Sequence, residues 1–243
     1  MDVHKSYSDS EHLSNIELFY CNPNNSAENK IILEGDEYRH AVKVMRHLPG
    51  DEIFVTNGEG KIFKCFIDGI LNNTLAADVK KEFTFKNSFF NIIFCLPKLK
   101  NPERFEFALE KCAELGITNF IVFESERTIS RSSKIERWHK ILLSAMKQSL
   151  QSFLPAISII NSVEEIMSMD GKKFIFEQNA ENIFQGLHND NTGKNYFLFG
   201  PEGGFSKKEL DLFKDSELFK LADNRLRSET AILKCASLLT TIV

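Results

Sequence analysis

The spacing of hydrophobic and polar residues changes near residue 87. Before it, short runs rich in β-formers (Glu17–Tyr20, Lys30–Leu33, Glu52–Thr56, Lys61–Ile70 and Leu75–Phe83) are separated by turn residues and predict strands. Asn57-Gly58-Glu59-Gly60, between two of them, predicts a hairpin turn. One helix interrupts the series. Asp36 can cap it, and Tyr38, Ala41, Val42 and Met45 recur at helical spacing before Pro49-Gly50 ends it. Many short strands with one helix predict a small barrel.

Beyond residue 87, strands and helices alternate. Phe89–Leu96 is an apolar run of the buried-strand type, and Asn101-Pro102 then supplies an N-cap and a first-turn proline. Phe105, Leu109, Cys112 and Leu115 share one face of that helix, Gly116 stops it, and Ile117–Phe123 reads as the next strand. Lys134–Leu150 is a second helix with Trp138, Ile141, Leu142 and Ala145 on its apolar side. Ser162 with Glu165, and Ser206 with Glu209, are capping boxes that open two more. Phe174–Phe176, Tyr196–Phe199 and Phe219–Leu221 are short apolar strands, and Ser228–Val243 is a terminal helix with Ser228 as its cap. This alternation predicts a parallel sheet covered on both faces. The expected organisation is an α/β protein: an unassigned extension (1–16), a small β-barrel domain (17–86) and a parallel-sheet domain (87–243).

Composition narrows the class. With 42% hydrophobic and 26% charged residues, the chain is neither disordered, collagen-like nor a coiled coil. No apolar run reaches the roughly 18–20 residues that span a bilayer. The polar N-terminus lacks the pattern of a signal peptide. The five cysteines (21, 65, 95, 112 and 235) are scattered and lack metal-ligand spacing, so they predict small core residues and no structural metal. The expectation is a reduced, cytoplasmic protein. Net charge is −4 but uneven. Residues 127–147 hold six basic side chains against one acid, enough to draw phosphates, although a solvated helix face explains the same run.

Three segments can carry chemistry. Phe199-Gly200-Pro201-Glu202-Gly203-Gly204-Phe205-Ser206 joins a strand to a capped helix, where open parallel sheets bind ligands and glycines let backbone amides approach. It matches neither the dinucleotide fingerprint nor the P-loop. Residues 221–231 make a second strand-to-helix junction with Arg227 and Glu229 beside the same crevice. The third segment, 104–116, is a charged helix that surface pairs largely explain.

Together these segments resemble a family. Leu96-Pro97-Lys98, Arg104 with Lys111-Cys112-Ala113-Glu114-Leu115-Gly116, Ser125-Glu126-Arg127, Glu136-Arg137-Trp138, Lys147-Gln148-Ser149 with Leu154-Pro155, Gly200 to Ser206, and Leu226 to Ala231 follow the order seen in RsmE-type enzymes. These are ribosomal RNA uridine-N3 methyltransferases of the SPOUT class. Arg39 to Arg46, with Gly50-Asp51, resembles the same family's PUA-like RNA-binding domain.

The resemblance implies a C-terminal trefoil knot that forms an S-adenosylmethionine pocket, a homodimer, and 16S ribosomal RNA within the small subunit as substrate, with no metal and no membrane. It places Phe199, Gly200, Pro201, Gly203, Gly204, Leu221, Ala222, Leu226, Thr230 and Ala231 around the cofactor. Arg227 is assigned to the developing uracil anion, and Glu229 or Glu202 to accepting the proton or orienting the arginine. Arg39, His40, Arg46, Lys98, Arg127 and Arg131 are assigned to the RNA. The sequence departs from the family pattern at Ala222, at Asn224-Arg225 and at Gln151.

Overall fold

The computed structural model describes residues 13–27, 29–127, 134–187, 193–214 and 216–241. The chain divides into two compact units, one of residues up to 86 together with 147–153, the other of 87–146 with 154–243.

The first unit is built on β1 (Leu18–Tyr20), β2 (Ser26–Ala27), β3 (Lys30–Leu33), β4 (Glu52–Thr56), β5 (Lys61–Leu71) and β6 (Thr74–Thr84). Their order in the sheet is β1-β4-β5-β6-β3-β2. Alternate residues, Ile31 and Leu33, Ile53 and Val55, Leu75 and Ala77, turn inward around Phe19. Asn57 shapes the β4–β5 turn by accepting from the amides of Glu59 and Lys61 at 2.9 and 3.2 Å. Gly60 must be glycine: its φ is +97°, and a Cβ there would lie 2.5 Å from the Phe153 ring. Phe153 belongs to the returning 147–153 segment, whose Ser152 carbonyl accepts from the Gly60 amide at 2.8 Å.

The helix of this unit departs from the expected form. It starts as α1 (Gly35–Tyr38) and continues as a π-helix, Arg39–Val44. Its N-cap is Glu34, which makes no side-chain cap bond; Asp36 lies inside the first turn and pairs with Arg39 at 3.1 Å. Position, not residue type, decides that exchange: a carboxylate inside the first turn still favours the helix dipole.

The second unit holds seven parallel strands in the order β11-β13-β10-β12-β7-β8-β9. They are β7 (Ile92–Pro97), β8 (Asn119–Phe123), β9 (Ala156–Ile160), β10 (Lys172–Phe176), β11 (Asn182–Ile183), β12 (Asn195–Phe199) and β13 (Glu217–Lys220). Between them run α2 (Pro102–Glu114), α3 (Ile135–Gln148), α4 (Val163–Ser168), α5 (Lys207–Leu212) and α6 (Ser228–Thr240).

One strand shows why the runs are continuously apolar. Along β7, Ile92, Phe94 and Leu96 enter a core with residues of α2, α3 and α6. Ile93 and Cys95 enter a second core with Val163, Ile166, Phe205 and Phe213. Period-two geometry under burial on both faces leaves no polar position. Adjacent strands pair Phe174 with Phe197 and Phe176 with Phe199, and each ring pair stacks with centroids 4.9 Å apart.

The caps follow sequence chemistry with two exceptions. Asn101 accepts from the amides of Glu103 and Arg104, and the Ser206–Glu209 capping box is complete. At Ser162 only half a box forms, because the Glu165 carboxylate accepts from the Asn161 amide. At α6 the N-cap is Arg227, without a side-chain cap bond, and the Ser228 hydroxyl is engaged elsewhere. All five cysteines are buried and free, and burial pushes the thiols of Cys21 and Cys65 up to about 11 and about 12. They are core residues, inert as nucleophiles. Among the described residues no helix is long and apolar enough to cross a membrane.

Phe197 is fully buried at the centre of the ring cluster. Phe197→Ala is expected to destabilise the second unit by about 3–5 kcal/mol, read as a lower urea midpoint.

Candidate active site

A cavity of ≈ 850 Å³ opens where β10, β12 and β13 end, at Phe176, Phe199 and Lys220. Parallel strands deliver their C-terminal ends to one edge of the sheet, and the loops leaving that edge form the crevice. Two loops make most of the wall: 199–206, which leaves β12, and 221–227, which leads into α6.

Each loop is fixed by donors from elsewhere. The Ser228 hydroxyl donates to the Gly200 carbonyl at 2.8 Å and ties the two loops together. Gly204, at φ +68°, closes a turn by donating its amide to the Pro201 carbonyl at 2.8 Å. The Arg127 guanidinium donates to the Gly203 carbonyl at 2.6 Å, and a Cβ on Gly203 would lie 3.4 Å from Arg127 Cδ. The Gln178 amide reaches the carbonyls of Ala222, Asp223 and Asn224 at 3.3–3.5 Å. Buried Glu209 completes the frame. Its carboxylate accepts from the Ser206 amide at 2.7 Å and from the Glu126 amide at 3.0 Å, so one side chain holds both α5 and the 125–127 turn.

The wall is strongly cationic. Arg104, Arg127, Lys207, Lys220, Arg225 and Arg227 face Glu177 and Glu202. Lys220 is paired with Asp223 at 3.0 Å, and Arg225 reaches the Glu202 carbonyl at 3.5 Å. Leu221, Leu226 and Ala231 supply the apolar part. A cavity of this size, part apolar and part charged, can take a small molecule that has both an apolar body and charged groups.

A family model described as RNA methyltransferase domain matches residues 86–240, and one described as RNA methyltransferase PUA domain matches residues 33–77. The chain belongs to this RNA methyltransferase family. The Ribosomal RNA small subunit methyltransferase E of Bacillus subtilis is 27% identical over 224 residues, covering 84% of this chain and 87% of that protein. Its namesake from Aquifex aeolicus is 26% identical over 222 residues, covering 87% and 94%. The crystal structure of the Neisseria gonorrhoeae protein of the same name, bound to S-adenosyl methionine, superposes with a TM-score of 0.82 at 27% identity over 93% of this chain and 98% of that one. The mixed α/β architecture and the PUA-like N-terminal domain are therefore those of the family.

Within this methyltransferase fold, the residues expected around a cofactor converge with one exception. Phe199, Gly200, Pro201, Gly203, Gly204, Leu221, Ala222, Leu226 and Ala231 all border the cavity; Thr230 is exposed and off the wall. Helical geometry explains it: Ser228 and Ala231, three apart, share the cavity face, whereas Glu229 and Thr230 rotate away. Arg227 and Glu202 stand on the wall. Glu229 does not; it is buried and faces Arg104, with Oε1 3.5 Å from Nε.

The residues expected at RNA divide between the two units. Lys98 is buried and pairs with Glu124 at 2.6 Å, and Arg127 serves the Gly203 carbonyl. In the first unit, Arg39 pairs with Asp36, His40 contacts Glu17 at 3.0 Å, and Arg46 takes a positive φ of 62°. Arg131 lies outside the described residues. Gln178 and Lys220 also line the cavity without a sequence signal, and Arg104, from the charged 104–116 segment, joins them. Gln178 follows β10 in a segment without glycine or a motif, so no local signal marks it.

Glu209→Ala orphans two backbone donors and is expected to lower stability by about 2–4 kcal/mol in chemical unfolding, with Glu209→Gln losing less.

Proposed function

We propose that this protein transfers a methyl group from S-adenosylmethionine to N3 of a uridine in 16S ribosomal RNA. The observation that carries the reading is the cavity formed by the 199–206 and 221–227 loops at the sheet edge, in a chain whose relatives of similar fold are small-subunit RNA methyltransferases. A relative at 27% identity binds S-adenosyl methionine. The cavity fits that group: Leu221, Leu226 and Ala231 offer apolar wall for the adenine and the methylene chain, and Gly200 and Gly203 bring backbone to the wall with no side chain in the way. The reading includes a trefoil knot near the chain end, a homodimer and a substrate presented by the small subunit. It also includes a domain division at 86/87.

When bound, S-adenosylmethionine supplies an electrophilic methyl carbon on a sulfonium sulfur. The chain must then align the uracil in line with that carbon and manage one proton. A carboxylate on the wall would take the uridine N3 proton and leave the N3 lone pair directed at the bound methyl donor. Arg227 suits the anion that develops over N3 and the two uracil carbonyls. It is exposed on the cavity wall and makes no cap bond at α6. Glu202 is the carboxylate we assign as proton acceptor, because it stands exposed on the wall, held through Oε1 by the Lys100 amide at 3.0 Å. Glu229, buried against Arg104, is placed to orient rather than to exchange protons with substrate.

The target base must leave any pairing before N3 is reachable. Lysines and arginines along the chain contribute phosphate contacts, which position the RNA without reading its sequence.

The test is methyl transfer to small ribosomal subunits that lack the modification. One sharp reverse-transcription stop, with 3-methyluridine in the nucleoside digest, is the expected result. Transfer without that nucleoside would move the reaction to another atom. Arg227→Ala is expected to lower kcat by about 10²–10³ while cofactor affinity, read by calorimetry, stays within a few-fold.

A further inference from the structure

A second cavity of ≈ 800 Å³ lies beside the first, and the two share Arg104 and Glu202 as lining residues. Its other walls come from Lys100, Lys134, Arg137 and Glu106 among others. Two arginines here each stand against a nearly buried carboxylate. The Arg137 side chain, 62% exposed, is held by a bidentate pair at 2.7 and 2.6 Å to Glu106, whose side chain is only 11% exposed. The Arg104 side chain, 38% exposed, is paired with Glu229, 12% exposed, from α6. The bidentate pair fixes the Arg137 guanidinium plane, whereas the single 3.5 Å contact from Nε holds Arg104 beside Glu229 without fixing its plane. The buried oxygen Oε2 of Glu229 has no hydrogen-bond partner. A carboxylate withdrawn this far from water is held for the cation it orients, since desolvating it costs free energy that a solvated surface pair does not.

Fixed guanidinium planes suit planar, multiply accepting partners, stacked bases and phosphate oxygens, better than mobile ammonium groups do. The buried members, Glu106 and Glu229, are neutralised by their arginines. Lys100 and Lys134 are exposed beside them. Glu103, exposed, and Glu202 also line this cavity, so its four cations stand beside two further acids, and the cavity leads, past Arg104, into the cofactor cavity.

We infer that this second cavity seats a single-stranded RNA segment, with Lys100, Lys134 and Arg137 on phosphates flanking the target. Arg104, positioned by Glu229, guides the extruded pyrimidine into the first cavity. The inference rests on the function proposed above and extends it to the path of the substrate. Arg104 is the residue at the passage; its guanidinium meets the base or its 5′ phosphate before Arg227 does.

The test uses full-length protein, S-adenosylhomocysteine and a labelled short single-stranded RNA containing one uridine. Lys100→Ala with Lys134→Ala removes two exposed cations without disturbing a buried pair. That double variant is expected to bind the RNA about tenfold more weakly and to lose about 1–1.5 from the slope of log affinity against log salt, while cofactor affinity stays unchanged. Arg104→Lys keeps a cation beside Glu229 but loses the fork. It is expected to raise KM for the RNA by about tenfold with kcat nearly unchanged, the pattern of lost substrate positioning. Wild-type RNA affinity in the double variant, equal competition by duplex RNA or by an acidic peptide, or a cofactor affinity that falls in step with the RNA affinity would each overturn the inference. If the wild-type protein transfers no methyl to small subunits that lack the modification, the functional reading falls and takes this one with it; a wild type that methylates subunits yet does not bind the short RNA overturns the RNA path alone. An active wild type beside unaltered variants overturns the RNA path alone.

Discussion

At the edge where parallel strands end, the chain must leave the sheet through loops whose carbonyls no longer have ladder partners. A half-buried carbonyl without a donor is costly, and an exposed one takes a fixed direction where a protein donor replaces water. Here the donors come from distant parts of the second unit: Ser228 for Gly200, Arg127 for Gly203, and Gln178 for the three carbonyls of 222–224. Those bonds set the separation of the two loops, and that separation is the cavity. Removing the donors would leave the same strands and helices with no defined site.

This constraint explains what the sequence reveals and what it hides. Strands buried on both faces are legible because every position is apolar; β7 and β12 are examples. The edge strand β9 escapes notice because Ala156–Ile160 is only partly covered and carries Ser158, and β11 is two residues long. Local caps are legible where the partner lies within a turn, as at Asn101 and Ser206. Ser228 looks like a cap by the same rule, yet its hydroxyl reaches 28 residues back to Gly200. A local rule fails where a long-range acceptor competes for the same donor.

The residues that border the cavity were legible for a similar reason. Glycines and a strand-to-helix junction mark the loop that forms the wall, whichever fold surrounds it. The cations were not, because a run of basic residues says nothing of their partners. Lys98 and Arg127 stand in that class: one is buried against Glu124, and the other carries a loop carbonyl. Net charge was equally uninformative, since six cations and two carboxylates share one cavity wall in a protein of net charge −4.

The arginines around the cavity therefore divide by what holds them. Arg127 and Arg225 spend their donors on loop carbonyls of Gly203 and Glu202, so replacing either one deforms the site before it alters charge. Arg104 lines the cavity with its Nε 3.5 Å from a Glu229 carboxylate oxygen. Arg227 caps no helix with its side chain and stands exposed on the wall, where a ligand's developing charge can engage it. A cation already committed to a backbone carbonyl cannot follow charge that appears only in a transition state, whereas an uncommitted one can at little reorganisation cost. That difference in commitment, more than proximity, separates the arginine suited to chemistry from those that build the walls around it.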